Sequence, residues 1–149
     1  MTNEELKRDL SDSEILLLTI IGEARGEPVE GQIAVANVIL NRSKIRNMSI
    51  KDVCLQKYQF SCWNESDPNR AFLIELANKV LKNHYNFYEE YKQIQWIVDG
   101  VISSKVSDNT KGRDHYLTTK LFESDKSPSW AENPKSSVLK IGSHVFLRV

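Results

Sequence analysis

The sequence is poor in the features that mark disulfide-rich, membrane-spanning and nucleic-acid-binding chains. It contains only two cysteines, Cys54 and Cys62, which are too few for a disulfide framework, and we predict two reduced, partly buried thiols. Its longest apolar run, Ile15–Ile21, is far shorter than a membrane-spanning helix. Basic and acidic residues number 20 each, so no surplus charge favours a polyanionic partner. We therefore predict neither membrane insertion nor binding to nucleic acid.

The start of the chain also lacks the pattern of a secretory signal. Residues 1–9 are mostly charged or polar, and no apolar stretch with a cleavage site follows them. We therefore expect synthesis in the cytoplasm without a signal peptide, and a flexible N-terminus over residues 1–12. The 149 residues, of which 40% are apolar, predict a single domain with its own core over residues 1–149.

Four helices are predicted from the helical spacing of apolar residues. The first begins at the capping-box pair Ser11 and Glu14. It ends near Ala24, because the glycine and proline that follow oppose continuation. Its apolar residues lie on most sides, which is typical of a central, buried helix. A break at Gly100 is left open in the last of the three other predicted helices, which cover Glu30–Ser43, Arg70–Asn83 and Tyr88–Ser103.

The remaining segments predict loops and a small β element. Residues 48–69, between the second and third helices, predict a mostly irregular segment. After Ser104 turn-forming residues become frequent, and two short strands are predicted over His115–Thr119 and Val145–Val149. The predicted fold class is therefore mainly α (α+β), a bundle of helices with a small β element late in the chain.

Glu23 is the leading candidate for a catalytic residue. It follows the apolar pair Ile20 and Ile21 and precedes helix-breaking residues, which predicts a carboxyl group at the mouth of the core. Burial disfavours the charged form of a carboxyl group, so we expect Glu23 to be partly protonated near neutral pH. A general acid needs such a proton.

Other titratable groups leave alternatives open. Glu27 lies close in sequence, but Gly26 breaks the helix between it and Glu23, so the sequence does not fix the distance that distinguishes retaining from inverting hydrolysis. Cys62 with a histidine could form a thiol–imidazole pair, although buried structural cysteines are far more common. Histidines with Asp108 could bind zinc, but no HExxH or paired-cysteine spacing supports a site. We predict no metal and no cofactor. The thiol–imidazole alternative concerns His115 or His144, and the zinc alternative concerns His84, His115 and His144.

Several aromatic side chains could stack on sugar rings. They lie in or near the segment predicted to be irregular and around the first predicted strand. Most residues of this kind belong to protein cores, so the sequence alone does not separate the two uses. The residues are Tyr58, Phe60, Trp63, Tyr116 and Trp130.

Seven blocks of sequence, spread over roughly residues 13–147, form a recognisable series. They are Gly22–Pro28, Gly31–Arg42, Gln59–Ser61 with Trp63, Asp108–Thr110 with Gly112, His115–Tyr116, Pro128–Ala131 and Ile141–Phe146. In this order the blocks resemble the catalytic domain of the cell-wall hydrolase family that includes the spore cortex-lytic enzymes. The first two blocks are long and specific.

The resemblance implies a lysozyme-like, mainly α fold and a peptidoglycan-cleaving activity. In that family the first Glu of the Gly-Glu-Ala-Arg-Gly-Glu block is the catalytic acid, which corresponds to Glu23. The implied reaction is lytic transglycosylation between N-acetylmuramic acid and N-acetylglucosamine, which leaves a 1,6-anhydro end. Glu27 and Arg42 are expected to fix the loop around the acid. The residues assigned to substrate binding are Gln59, Ser61, Trp63, His115 and Tyr116.

The chain also departs from the spore enzymes. We expect neither a signal peptide nor a separate wall-binding domain. We also predict a helical extension over Asn83–Gln93, and the residues after His115 and Tyr116 differ. These differences favour a small endolysin that acts on peptidoglycan glycan strands after release by a partner such as a holin. Two alternatives stay open. One is a hydrolytic muramidase that pairs Glu23 with a second carboxylate such as Glu27 or Asp108, and the other is a non-catalytic wall-binding module.

Overall fold

The computed structural model describes residues 1–149, apart from the side chain at position 85. The described part is mainly helical, with three short strands late in the chain, which confirms the predicted fold class. The helices are α1 (Asn3–Asp9), α2 (Asp12–Ala24), α3 (Val29–Arg46), α4 (Ile50–Leu55), α5 (Pro68–Leu81), α6 (Tyr85–Glu90), α7 (Lys92–Ile102) and α8 (Thr119–Phe122). The strands are β1 (His115–Thr118), β2 (Leu139–Ile141) and β3 (His144–Leu147), and 3-10 helical turns cover Ser61–Trp63 and Ser129–Ala131.

Helix α2 is the centre of the core, as predicted. Its capping box is formed: the Ser11 hydroxyl accepts from the Glu14 N–H, and the Glu14 carboxylate accepts from the Ser11 N–H at 2.8 Å. Every residue of Ile15–Ile21 is buried, and helices α3, α4, α5 and α7 pack around it. The burial of α2 on all sides stabilises the position of its C-terminal end, where Glu23 lies.

Residues 3–9, within the segment expected to be flexible, form helix α1 instead. Leu6 and Leu10 are buried against the core, so apolar burial stabilises this segment. The Lys51 ammonium group donates to the carbonyl oxygens of Lys7 and Leu10 at 2.9 and 3.1 Å. These two hydrogen bonds attach the end of α1 to α4.

The three strands form an antiparallel sheet in the order β1-β3-β2. Because side chains alternate along a strand, one face carries Tyr116 and Phe146 and packs on α3, while the other carries Leu117 and Val145. Strand β2 was not predicted from the sequence. It joins β3 through a hairpin in which Gly142 has φ +59°.

The predicted fourth helix is divided, but not at Gly100. Helix α6 ends at Glu90 and α7 begins at Lys92, because Tyr91 between them leaves the helical conformation with φ −108° and ψ 23°. Gly100 lies inside α7, where a Cβ atom would be 2.5 Å from Cγ2 of Val106. The glycine thus permits close packing of the following turn. None of the helices in the described part of the chain is long and apolar enough to span a membrane.

Gly22 allows the 3-10 turn Ser61–Trp63 to lie directly against α2. A Cβ atom at position 22 would be 2.8 Å from both Cβ and Sγ of Cys62 and 2.8 Å from Cδ1 of Leu73. By contrast, a Cβ at Gly26 would have no atom within 4 Å. The hydrogen side chain of Gly22 is therefore required for this approach.

Gly22→Ala is expected to destabilise the fold by about 1–3 kcal/mol, because the added methyl group overpacks the contact with Cys62. The intrinsic preference of helices for alanine would favour the opposite sign. Urea unfolding of the variant checks this, with Gly26→Ala as the control that should change stability little. Equal unfolding free energies for the two variants would contradict the proposed contact.

Candidate active site

Glu23 lies in the last turn of α2, half-buried, with each carboxylate oxygen held by a different part of the chain. The Tyr116 hydroxyl on β1 donates to Oε1 at 2.8 Å. The backbone N–H of Cys62, in the 3-10 turn, donates to Oε2 at 3.3 Å. A helix, a turn and a strand that are distant in sequence therefore meet at one carboxyl group.

Tyr116 is held in its protonated form. Burial and the adjacent Glu23 carboxyl group raise the pKa of Tyr116 well above its usual value, so the phenol keeps its proton and can donate it in a hydrogen bond. The His144 ring packs edge-on against the Tyr116 ring, with centroids 5.2 Å apart. The sequence analysis expected Tyr116 at the site, and the structure places it there.

Glu27 supports Tyr116 indirectly, through His144. The Ser143 hydroxyl donates to Glu27 Oε1 at 2.6 Å, and His144 Nδ1 lies 2.7 Å from the same oxygen. The hydrogen bond from Ser143 lowers the pKa of Glu27; burial opposes this, and His144 adds to the lowering. Glu27 thus ties the α2–α3 connection to the β2–β3 hairpin.

Arg42 supports the other side of the site from inside the protein. It is buried, its Nε donates to the carbonyl oxygen of Asp114 at 2.6 Å, and its Nη1 donates to Gln59 Oε1 at 3.4 Å. The guanidinium group also lies over the Phe60 ring, 5.1 Å from the centroid. Burial lowers the pKa of Arg42. The contacts join α3 to the loop before the 3-10 turn and to the start of β1.

Gln59 and Ser61 are exposed beside the turn that contacts Glu23. Gln59 is held by Arg42, and Ser61 directly precedes Cys62, whose N–H reaches the acid. Both side chains are therefore accessible next to Glu23, as their predicted role in substrate binding requires.

The prediction that Trp63 binds substrate is wrong. Its indole ring is 4% exposed and belongs to the hydrophobic core. The indole N–H donates to Thr19 Oγ1 at 2.9 Å, and Thr19 in turn donates to the Ile15 carbonyl oxygen. Trp63 anchors the 3-10 turn on α2, one helical turn before Glu23, because a large apolar ring with one donor is most stable when buried and hydrogen-bonded.

His115, also predicted to bind substrate, does not share a face of the sheet with Tyr116. Neighbouring residues in a strand face opposite sides of the sheet, so His115 lies on the side away from Glu23. Its Nδ1 is 3.1 Å from Asp114 Oδ1, and its ring lies 5.0 Å from that of Trp130. Burial lowers the pKa of His115, against the opposing effect of Asp114.

The cysteines do not provide a nucleophile. Both are free and buried, as predicted. Burial and the Glu23 carboxyl group raise the pKa of the Cys62 thiol, and burial raises that of Cys54 to about 12. A thiol with a raised pKa is a poor nucleophile. His115 and His144 are engaged with acidic side chains instead.

Asp108 stabilises a loop through hydrogen bonds to both of its carboxylate oxygens. Its Oδ1 accepts from the N–H and hydroxyl groups of Thr110, and its Oδ2 accepts from Asn41 and from the Gly112 N–H, all within 3.0 Å. Burial opposes ionisation, but these hydrogen bonds outweigh it and lower the pKa of Asp108. Within the described residues, no group of three or more His, Cys, Asp and Glu side chains could hold a metal ion.

Three contributors to the site were not predicted. His144 lies within the last sequence block, two residues before Phe146, so strand alternation could have placed it on the same face as that core residue. Thr19 looked like an interruption in an apolar run, and its position one turn before Glu23 was the only available signal. The Cys62 N–H has no signal in the sequence, because every residue except proline carries such a donor.

Comparison with known proteins gives the family. Residues 26–147 match the family described as Cell Wall Hydrolase. The chain belongs to this cell wall hydrolase family. The match covers most of the chain and confirms the resemblance recognised in the sequence blocks. The matched segment begins three residues after Glu23 and does not include it. The choice of Glu23 as the candidate acid therefore depends on the geometry described above.

Two curated relatives share a short segment with this cell wall hydrolase. The spore cortex-lytic enzymes of Oceanobacillus iheyensis and Bacillus subtilis are each 59% identical to it over 32 residues, which is 22% of this chain. The chain matches only 12% and 10% of the lengths of those two proteins. No solved structure gives a significant match.

Glu27→Gln is expected to destabilise the fold by about 1–2 kcal/mol near neutral pH, because a hydrogen-bonded carboxylate is lost. The lowered pKa of Glu27 means that its ionisation stabilises the fold above its unfolded-state pKa of about 4.3, and that this stabilisation is lost as the pH falls through the folded-state pKa. The difference in unfolding free energy between the variant and the unaltered protein should therefore decrease as the pH falls from about 5 towards 2.

Urea unfolding across this pH range provides the measurement. Glu75→Gln, at an exposed position on α5, serves as the control and should show little effect at any pH. A destabilisation by Glu27→Gln that stays constant down to low pH would show that the loss does not arise from the carboxylate.

Proposed function

We propose that this protein cleaves peptidoglycan glycan strands between N-acetylmuramic acid and N-acetylglucosamine as a lytic transglycosylase, with Glu23 as the acid. The observation that carries the proposal is the environment of Glu23. It is half-buried beside accessible polar residues and accepts hydrogen bonds from two neutral donors. In the described structure no cationic side chain forms an ion pair with it. Membership of the cell wall hydrolase family supports the substrate class.

In the first step, Glu23 donates its proton to the glycosidic oxygen. We assign this proton to Oε2, because its contact with the Cys62 N–H is long at 3.3 Å, whereas Oε1 is held by Tyr116 at 2.8 Å. The bond between C1 of the muramic acid and that oxygen breaks, and the oxygen leaves as the hydroxyl group of N-acetylglucosamine. The charge that remains on Glu23 is stabilised by the two donors.

In the second step, the Glu23 carboxylate accepts the proton of the muramic acid C6 hydroxyl group. The C6 oxygen attacks C1 and closes the 1,6-anhydro ring, and Glu23 regains its starting protonation state. One carboxyl group serves as acid and then as base, so the reaction needs no second carboxylate and no activated water.

The rival carboxylates support transglycosylation over hydrolysis. Most hydrolases that invert or retain configuration use two carboxyl groups beside the scissile bond. Glu27 is engaged with Ser143 and His144, and Asp108 is saturated by hydrogen bonds within its own loop and from α3. Glu23 is therefore proposed to act alone.

Digestion of purified peptidoglycan, followed by mass spectrometry of the soluble fragments, tests this function. Fragments that end in anhydro-muramic acid, lighter by one water than hydrolytic products, are expected. Reducing muramic acid ends would overturn the transglycosylase assignment in favour of a muramidase. If folded protein released no fragments, the enzyme assignment itself would fail and a wall-binding role would replace it.

Glu23→Gln is expected to retain the fold and glycan binding but to lower turnover by about a hundredfold to ten-thousandfold, since the amide cannot donate the required proton. Release of soluble fragments from peptidoglycan measures the rate, and circular dichroism checks the fold. Glu30→Gln, at an exposed position in the first turn of α3, is the matched control. Turnover that survived in Glu23→Gln would exclude Glu23 as the acid.

Tyr116→Phe is expected to lower kcat about tenfold or more, with little change in KM. The ring and its packing against His144 and Phe146 remain, but the donor that stabilises charge on Glu23 is lost. Tyr88→Phe, which removes a hydroxyl group from α6, is the control and should leave both constants unchanged. An unaltered kcat in Tyr116→Phe would remove the hydroxyl group from the mechanism.

A further inference from the structure

A recess of about 720 Å³ is lined by residues 1–3, by Arg70 and by parts of the segment that contacts Glu23. Residues 59–62 of that segment carry the contacts with Arg42 and Glu23. The stretches immediately before and after them, residues 55–58 and 63–66, line the recess. The recess and the candidate acid thus share one wall, and neither the mechanism nor the comparisons give the recess a role.

Tyr58 is the unusual residue of this wall. The Gln59 N–H donates to the Gln56 carbonyl oxygen at 3.1 Å, which closes a β-turn with Tyr58 in its third position. Tyr58 has φ +64°, a conformation that this position of a type II turn requires and that glycine adopts without strain. A bulky residue in such a conformation is uncommon and is often retained for function.

The strained conformation exposes the Tyr58 ring. Tyr58 is 73% exposed and lines the recess, so its hydrophobic ring contributes little to the core. The Lys57 ammonium group lies over the ring, 5.1 Å from the centroid, which leaves the opposite face open. An aromatic ring supported on one face and open on the other offers a flat apolar surface to a ligand.

The lining of the recess also contains polar side chains, of which Arg70 is fixed in place. Arg70 donates to Asn3 Oδ1 at 2.9 Å and to the Trp63 carbonyl oxygen at 2.7 Å, so its long side chain is already ordered. Amide and carboxylate groups of Gln56, Asn64 and Glu65 also line the recess. A flat apolar surface among hydrogen-bonding groups suits a ring with one apolar face and several hydroxyl or acetamido groups at its edge.

We propose that the recess is a saccharide subsite, in which the open face of Tyr58 stacks on an N-acetylated hexosamine unit of the glycan strand next to the bond cleaved at Glu23. This subsite rests on the proposed function, since it places the strand that is cleaved at Glu23 along residues 55–66. Tyr58 is a binding residue in this proposal and does not take part in the chemistry. The strain at Tyr58 is then the cost of presenting the ring.

Calorimetric titration with peptide-free glycan strands tests the subsite, in a Glu23→Gln background that prevents turnover. Tyr58→Gly removes the ring and the strain together. We expect its dissociation constant to rise about tenfold, while its thermal unfolding midpoint stays equal or increases. Tyr58→Phe keeps the ring, so its dissociation constant for glycan strands should equal that of the protein with Tyr58. Ser104→Gly, also exposed and with a positive φ of 63°, should leave binding unchanged.

Unchanged glycan binding by Tyr58→Gly would overturn the subsite. So would a loss of affinity seen only with strands that carry stem peptides, since the recess would then bind peptide. These outcomes are separate from the fate of the catalytic proposal. If the protein forms anhydro products and Tyr58→Gly binds glycan normally, the transglycosylase proposal stands and the subsite proposal fails. If Tyr58→Gly binds weakly and the products have reducing ends, the subsite proposal stands and the transglycosylase proposal fails.

Discussion

The absence of a side chain at Gly22 is the constraint on which the candidate site depends. Because α2 presents only a hydrogen there, Cys62 approaches closely enough for its N–H to reach the Glu23 carboxylate. The hydrogen bond from Trp63 to Thr19 holds the same turn on the helix. Two contacts therefore determine the position of the turn. They are the close approach of Cys62 to Gly22 and the hydrogen bond from Trp63 to Thr19. The turn in turn places two exposed residues, Ser61 within it and Gln59 just before it.

The second carboxylate oxygen depends on the sheet. Tyr116 reaches Glu23 from β1, and its ring is supported by His144 on β3, which Glu27 holds. Glu27 lies only four residues after Glu23, so the same short stretch provides both the acid and the group that fixes its distant partner. Function and fold are closely coupled here: the contacts that attach the sheet to the helices also orient the catalytic candidate.

Local signals predicted what depends on local interactions. The capping box, the length of α2 and its burial followed from residues close in sequence, and Glu23 followed from its position at the end of an apolar run. The errors concern properties set by distant packing. Whether Trp63 or Tyr58 is exposed is decided by the fold, and both belong to the same aromatic-rich segment. The Tyr116–Glu23 contact joins residues 93 positions apart, and only strand register distinguishes Tyr116 from its neighbour His115.

The position of β3 has a consequence for synthesis of the protein. In chain order β3 follows every other helix and strand, yet it is the central strand of the sheet and carries His144. A ribosome-bound chain therefore presents Glu23 long before the strand that supports its tyrosine partner has emerged. The support for Tyr116 includes β3, so a chain that ends before β3 has the Glu23 carboxyl group without that support. Proteolytic loss of a few residues around β3 would have the same effect, more than a hundred positions away from Glu23.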